Sequence, residues 1–178
     1  MIKSRLSQGL ASQVIYFWIF NGFSITASPE FIAELANRPD VLRITPDSVA
    51  VAPVPLAGAA SEQNLNVIQA PALWSLGISG QGVVVASLDT GVDYTHPDLS
   101  GQWRGGSNSW YDPYGQHPNA PYDRRGHGTQ VMGVIAGRDL GGTAIGVAPQ
   151  AQWIAAKIFD DSGKATATAI HQSFQWLL

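Results

Sequence analysis

The stretch Val83-Val84-Val85-Ala86-Ser87-Leu88-Asp89-Thr90-Gly91 decides the fold. From Val83 to Ala86 apolar and polar residues do not alternate, the pattern of a strand buried on both faces. Such strands belong to parallel sheets covered by helices, and ligands gather beyond their carboxyl ends. Asp89 falls at that end, so its carboxylate is expected at the rim of the sheet. Further along, Arg125-Gly126-His127-Gly128-Thr129 stands at the mouth of a helix-like segment running to about Gly137. An aspartate at a strand end and a histidine at a helix start are the last two members of a nucleophile–base–orienter relay. The aspartate would fix the imidazole tautomer, and the histidine would take a proton from a nucleophile.

Composition narrows the class. The chain has 178 residues, 45% of them hydrophobic and 10% aromatic, enough for a packed core. Only 13% are charged, and 19 glycines with 11 prolines indicate many tight turns. A net charge of −3 supplies no footprint for nucleic acid and no polybasic membrane patch, so neither partner is expected. With no cysteine, disulfides, thiolate metal sites and a cysteine nucleophile are excluded. The most apolar run, Val14–Phe20, is far shorter than the ~18 residues of a membrane helix and reads as a strand. It is also not followed by a small-residue cleavage pattern, so it is not read as a signal peptide.

The rest of the chain divides by pattern. Residues 1–13 are weakly helical, and Val14–Thr26 is extended with a break at Asn21-Gly22. Ser28-Pro29-Glu30 opens a short helix to about Asn37, with a cap, a first-turn proline and an early acid. Val41–Thr45 and Val49–Val51 alternate like exposed antiparallel strands around Pro46-Asp47. Residues 52–61, Ala-Pro-Val-Pro-Leu-Ala-Gly-Ala-Ala-Ser, form the clearest linker. Val67–Leu76 looks helical despite Pro71. A long polar loop follows from Gly101 to Gly126, then the His127 helix, a glycine-rich turn, a strand at Trp153–Phe159 and a helix from Ala165 to Leu178.

Each candidate has a plainer reading beside it. Asp89-Thr90-Gly91 is ordinary turn chemistry, and is also the triplet that an aspartic protease uses. That rival needs an all-β chain, against the α/β alternation here. Gly77, Gly80 and Gly82 precede the strand, whereas dinucleotide-binding glycines follow it. His96, His117, His127 and His171 lack metal-ligand spacing, and His171 reads as an exposed helix residue. Asp93 and Asp98 suit turn formation or calcium ligation.

Three motifs in order carry a resemblance to the subtilisin-like serine endopeptidases. Val83–Asp93 followed by His96-Pro97-Asp98-Leu99 is similar to the family's aspartate motif. Gly126–Gly137 is similar to its histidine motif, and Gly146-Val147-Ala148-Pro149 with Ala155-Ala156-Lys157-Ile158 to the segment after it. The resemblance is firm over residues 62–178. It implies an incomplete doubly wound α/β domain of the subtilisin type, with Asp89 as triad aspartate and His127 as general base. It implies peptide-bond hydrolysis, peptide or protein substrates, secretion, and no organic cofactor. It also implies a structural calcium at Asp98, beside the turn at 138–144.

Residues 1–51 resemble part of the family's inhibitory propeptide, and the linker 52–61 would hold the maturation site. The family's serine, in a Gly-Thr-Ser-x-Ala context, and its oxyanion asparagine are not among these residues. The only serines past His127 are Ser162 and Ser173, neither in that setting. The strand that pairs with substrate is expected beyond the last helix. The chain is therefore expected to be an inactive fragment of a zymogen, or alternatively a propeptide-like inhibitor or decoy.

Overall fold

The computed structural model describes residues 1–55, 63–139 and 144–178. The N-terminal unit opens with helix α1 (Ile2–Ser7), followed by the hairpin β1 (Ala11–Phe17) and β2 (Gly22–Ala27). The two strands pair antiparallel, Ala11 against Ala27 and Phe17 against Gly22, around the Asn21-Gly22 break. Helix α2 (Pro29–Ala36) starts as its residues dictate: Ser28 Oγ accepts from Phe31 N at 3.3 Å, and Pro29 occupies the first turn. Its apolar face seats Phe31 and Leu35 on Ala11, Phe23 and Ile25, a small core of its own.

The expectation for 41–51 holds only in part. Residues 41–48 form no strand, and Leu42 is fully exposed. Apolar alternation makes a strand only where a partner edge exists. Strand β3 (Val49–Val51) finds that edge elsewhere, as described below. The segment read as a helix over 67–76 is two short helices, α3 (Gln63–Val67) and α4 (Ala70–Trp74), parted at Gln69, whose φ is +59°. Of the linker 52–61, residues 56–61 lie outside the described residues.

The larger unit is built on β4 (Val84–Asp89), β5 (Trp110–Tyr111) and β6 (Gln152–Lys157), in the order β4-β6-β5 and all parallel. Asp89 stands beside Lys157 at the carboxyl end. Helix α5 (His127–Ala136) packs against β4 and β6. Between them Val92, Leu99, Met132, Ala136, Trp153 and Ala155 are buried together, and Trp153 Nε1 donates to Leu99 O at 2.8 Å. The chain closes with β7 (Lys164–Thr166) and α6 (Ala167–Leu177), whose first turn is capped by Thr166 Oγ1 accepting from Ala169 N at 3.1 Å.

Two features correct the expectations. First, β4 is only partly buried: it is a sheet edge among the described residues, with Val84 41% exposed and Val83, just ahead of it, 50% exposed. Its unbroken apolar run suits one more neighbour than these residues supply. Second, β3 crosses from the N-terminal unit and pairs antiparallel with β7, Val49 against Thr166 and Val51 against Lys164. Ala52 N continues the ladder to Gly163 O at 2.7 Å. A pairing edge thus lies ahead of the last helix. Nor is His171 a free helix residue, since the rings of Phe17 and Phe20 pack against it in T-shaped fashion, with centroids 5.2 and 4.8 Å away. Trp18 N donates to Gln175 Oε1 at 2.6 Å beside it.

An exposed apolar edge strand invites pairing with another chain. Residues 1–178 expressed alone should therefore associate in a concentration-dependent way, and Val84→Lys should shift the population towards monomer in light scattering.

Candidate functional site

Asp89 and His127 meet because two elements end at one place. Strand β4 delivers Asp89 at its carboxyl end, and α5 begins with His127. His127 Nδ1 lies 2.8 Å from Asp89 Oδ1, with 24% and 14% of the two side chains exposed. Thr90 N also donates to Asp89 Oδ1, at 2.6 Å. With Nδ1–H committed to the carboxylate, the lone pair of the neutral ring belongs to Nε2, the nitrogen free to accept a proton.

Glycines set the approach. A Cβ on Gly128 would run into Gly91 O and stand 3.0 Å from Asp89 Cβ, so only a glycine lets the first turn of α5 close on the end of β4. Gly91 has φ +110°, and a side chain there would collide with Tyr122 O.

Sequence reading missed the residue that holds this junction, Asp123. Its Oδ1 accepts from Thr90 Oγ1, Arg125 N and Gly126 N, each at 2.9 Å. Its Oδ2 accepts from Thr129 N at 2.9 Å and Thr129 Oγ1 at 2.7 Å. These bonds tie the entry of α5 to the turn after β4. Burial pushes the Asp123 carboxyl up, but the bonds from Thr129, Gly126 and Thr90 outweigh it and hold the group below its usual range. The cue was available: an acid just ahead of a helix start, where unpaired N–H groups and the helix dipole favour an anion.

The buried Thr90 is the second hub, since its Oγ1 also accepts from Gly128 N at 2.9 Å. Thr129 Oγ1 in turn accepts from Asp93 N at 2.9 Å, joining the loop after β4 to the same helix turn. Beneath them the fully buried Lys157 donates to Thr90 O at 2.9 Å and lies 3.3 Å from Asp161 Oδ1. His117 Nε2 reaches the same carboxylate, 3.0 Å from Oδ2, while its ring stacks on Tyr122 at 4.0 Å. Burial raises Asp161, but its bonds to His117 and Lys157 prevail and hold it below the ordinary carboxylate range.

The remaining candidates lie apart from this pair. Ser162 Oγ donates to Asp160 Oδ1 at 2.7 Å, and Ser173 Oγ to Ala169 O at 2.9 Å, so both hydroxyls are engaged locally. Asp93 Oδ1 accepts from Thr95 N and Oγ1, a turn role. The Asp98 carboxylate has His96 Nδ1 3.9 Å away. Calcium takes six to eight oxygens. Among the described residues no group of three or more His, Cys, Asp or Glu side chains converges. Of the turn at 138–144, residues 140–143 lie outside the described residues.

The parallel sheet thus sets an aspartate at a strand end against a histidine at a helix start, joined by a hydrogen bond. The chain belongs to the subtilase family: the model described as Peptidase_S8, Subtilase family, matches residues 80–178. The fold is accordingly the subtilisin-type α/β fold, incomplete in these residues. The chain is 33% identical over 201 residues to Bacillopeptidase F of Bacillus subtilis (strain 168), covering 99% of this chain and 14% of that protein. It is 44% identical over 96 residues to the Major intracellular serine protease of the same organism, 54% of this chain and 30% of that one. Against the M-protease of Shouchella clausii (strain KSM-K16) it is 36% identical over 155 residues, covering 86% and 37%. The chain thus spans well under half the length of these relatives. Among the described residues no helix is long and apolar enough to cross a membrane.

Asp123→Asn should cost about 1–3 kcal/mol at neutral pH, since an amide cannot accept from all five donors. A carboxyl held below its unfolded value stabilises the fold above about pH 4, and that contribution is lost as pH falls through the lower folded value. Urea melts at pH 7 and pH 3 should therefore differ less for the variant than for the parent.

Proposed function

We propose that this chain carries the base and orienter of a serine endopeptidase, preceded by a segment that fills the substrate groove until it is cut away. The 2.8 Å bond between His127 Nδ1 and Asp89 Oδ1 at the end of β4 carries the reading. Asp89 presents Nε2 outward as a base and stabilises the imidazolium that forms when a serine hydroxyl gives up its proton. That hydroxyl is the nucleophile denoted by "serine protease" in the relatives' names. His127 then returns the proton to the leaving amine. The aspartic-protease alternative loses its support, because the partner of Asp89 is an imidazole and not a second carboxyl.

The N-terminal segment enters this reading through β3. Its antiparallel pairing with β7 is what an extended peptide substrate would do at an exposed edge. A unit with its own small core supplies the strand, and Phe17, Phe20 and Trp18 fasten that unit to α6. We therefore assign residues 1–51 as propeptide, 52–61 as linker and 62–178 as the first part of the catalytic domain. Secretion accompanies the proposal on the strength of family resemblance. The second reading, an inhibitor or decoy that does not cleave, draws on the same β3 pairing.

In the full-length gene product, His127→Ala should lower kcat by roughly 10⁶-fold with little change in KM, the scale set by subtilisin itself. Asp89→Asn should also fall by roughly 10⁴-fold. Covalent labelling by a fluorophosphonate should be rapid in the parent and lost in His127→Ala. A protein that never labels would favour the inhibitor reading.

A further inference from the structure

We infer that the bond cut to free the N-terminal segment is Pro53–Val54. The inference rests on the propeptide reading and narrows it from a ten-residue linker to one peptide bond.

The register supplies the first limit. The main-chain ladder between β3 and β7 ends at Ala52 N, which donates to Gly163 O at 2.7 Å. Residues up to Ala52 are therefore held as a strand on the β7 edge. The second limit comes from the other side of the groove. Gly126, the residue before His127, has Pro55 Cγ as its neighbour, 3.8 Å from where a Cβ would stand. Arg125 bridges the two walls, its guanidinium donating to Ser162 O and covering Gly163. Between the last ladder bond and the contact beside His127 the chain has three peptide bonds: 52–53, 53–54 and 54–55.

Chemistry separates the three. Hydrolysis needs His127 to deliver a proton to the nitrogen that leaves. In Ala52–Pro53 and Val54–Pro55 that nitrogen is a proline nitrogen, whose ring Cδ stands where a secondary amide has only hydrogen. The ring crowds the approach of the imidazole. Pro53–Val54 is the one bond of the three whose leaving nitrogen is a secondary amide. Both residues are exposed, Val54 by 83%, so neither is needed by the core.

The step balances in the usual sense of acyl transfer. A serine hydroxyl adds to the Pro53 carbonyl carbon and its proton passes to His127 Nε2. The Pro53 C–Val54 N bond breaks as that proton moves to Val54 N, leaving an ester on the serine. Water then cleaves the ester, giving a Pro53 carboxylate and restoring the serine hydroxyl, so that with the Val54 amine already released one water is consumed in all. Proline at 53 has no N–H to donate, so the cut strand is held by one hydrogen bond fewer than an ordinary substrate, and processing is slower than turnover of a peptide lacking that proline.

The test uses the full-length gene product, followed from first synthesis by intact-mass spectrometry of the released fragment, whose C-terminus records the first cut before any trimming. A fragment ending at Pro53, with the complementary chain starting at Val54, is the expected result. Val54→Pro, which makes the leaving nitrogen tertiary, should slow that cut by at least about 100-fold, while Pro53→Ala should hasten it. A first cut elsewhere between 38 and 80, or an unchanged rate in Val54→Pro, overturns the assigned bond and leaves the propeptide reading standing. A protein that labels with fluorophosphonate and cleaves peptides yet keeps residues 1–80 attached overturns both.

Discussion

The hydrogen bond between Asp89 and His127 is the constraint on which the rest of the structure depends. It spans two elements from distant parts of the sequence, and a carboxylate and an imidazole can share a proton only within about 3 Å. A helix start must therefore be brought against a strand end without bulk between them. Gly128 removes the bulk, and Gly91 turns the chain clear of Tyr122 O. Thr90 fixes the distance, since its hydroxyl binds α5 through Gly128 N and its amide binds Asp89. Asp123 gathers the other free donors of that helix entry. The pair is held by groups outside it.

Charge placement follows from the same geometry. Three carboxylates, Asp89, Asp123 and Asp161, are tied to the turn at Thr90, the last of them through Lys157, and each is separately satisfied. Asp89 has an imidazole and an amide, Asp123 has five neutral donors, and Asp161 has His117 together with the buried ammonium of Lys157. Lys157 also anchors Thr90 O. Removing the lysine would leave Asp161 to His117 alone and loosen the turn that aims Asp89. A buried cation gains little net stability; here it sets the position of a main-chain turn.

What the sequence revealed depended on how local the cause was. The cap at Ser28, the break at Asn21-Gly22, the strand ending in Asp89 and the helix opening at His127 are each written within a few residues and each was legible. The pairing partners were not. Val49-Ala50-Val51 reads as half of a local hairpin because its alternation says strand and nothing in it names β7. Asp123 had a local cue, the helix entry that follows it, and only its bond from Thr90 depends on a distant part of the chain. His171 looked exposed because Phe17 and Phe20 reach it from the other end of the chain.

The pairing of β3 with β7 shows why such a strand must come from a separate folded unit. Three residues of β ladder bind too weakly to hold an edge unaided, since an isolated two-stranded pairing is marginal in water. The N-terminal unit overcomes this by docking elsewhere: Phe17 and Phe20 against His171, Trp18 N on Gln175, Ser24 with Thr168, and Asp47 at Thr168 N on the first turn of α6. Once these contacts are made, the ladder of β3 forms within one molecule, at an effective concentration far above that of a free peptide. On the propeptide reading proposed above, a cut just past the ladder would turn that intramolecular contact into an intermolecular one, and the released strand would then compete with substrate only as tightly as its docking surface allows.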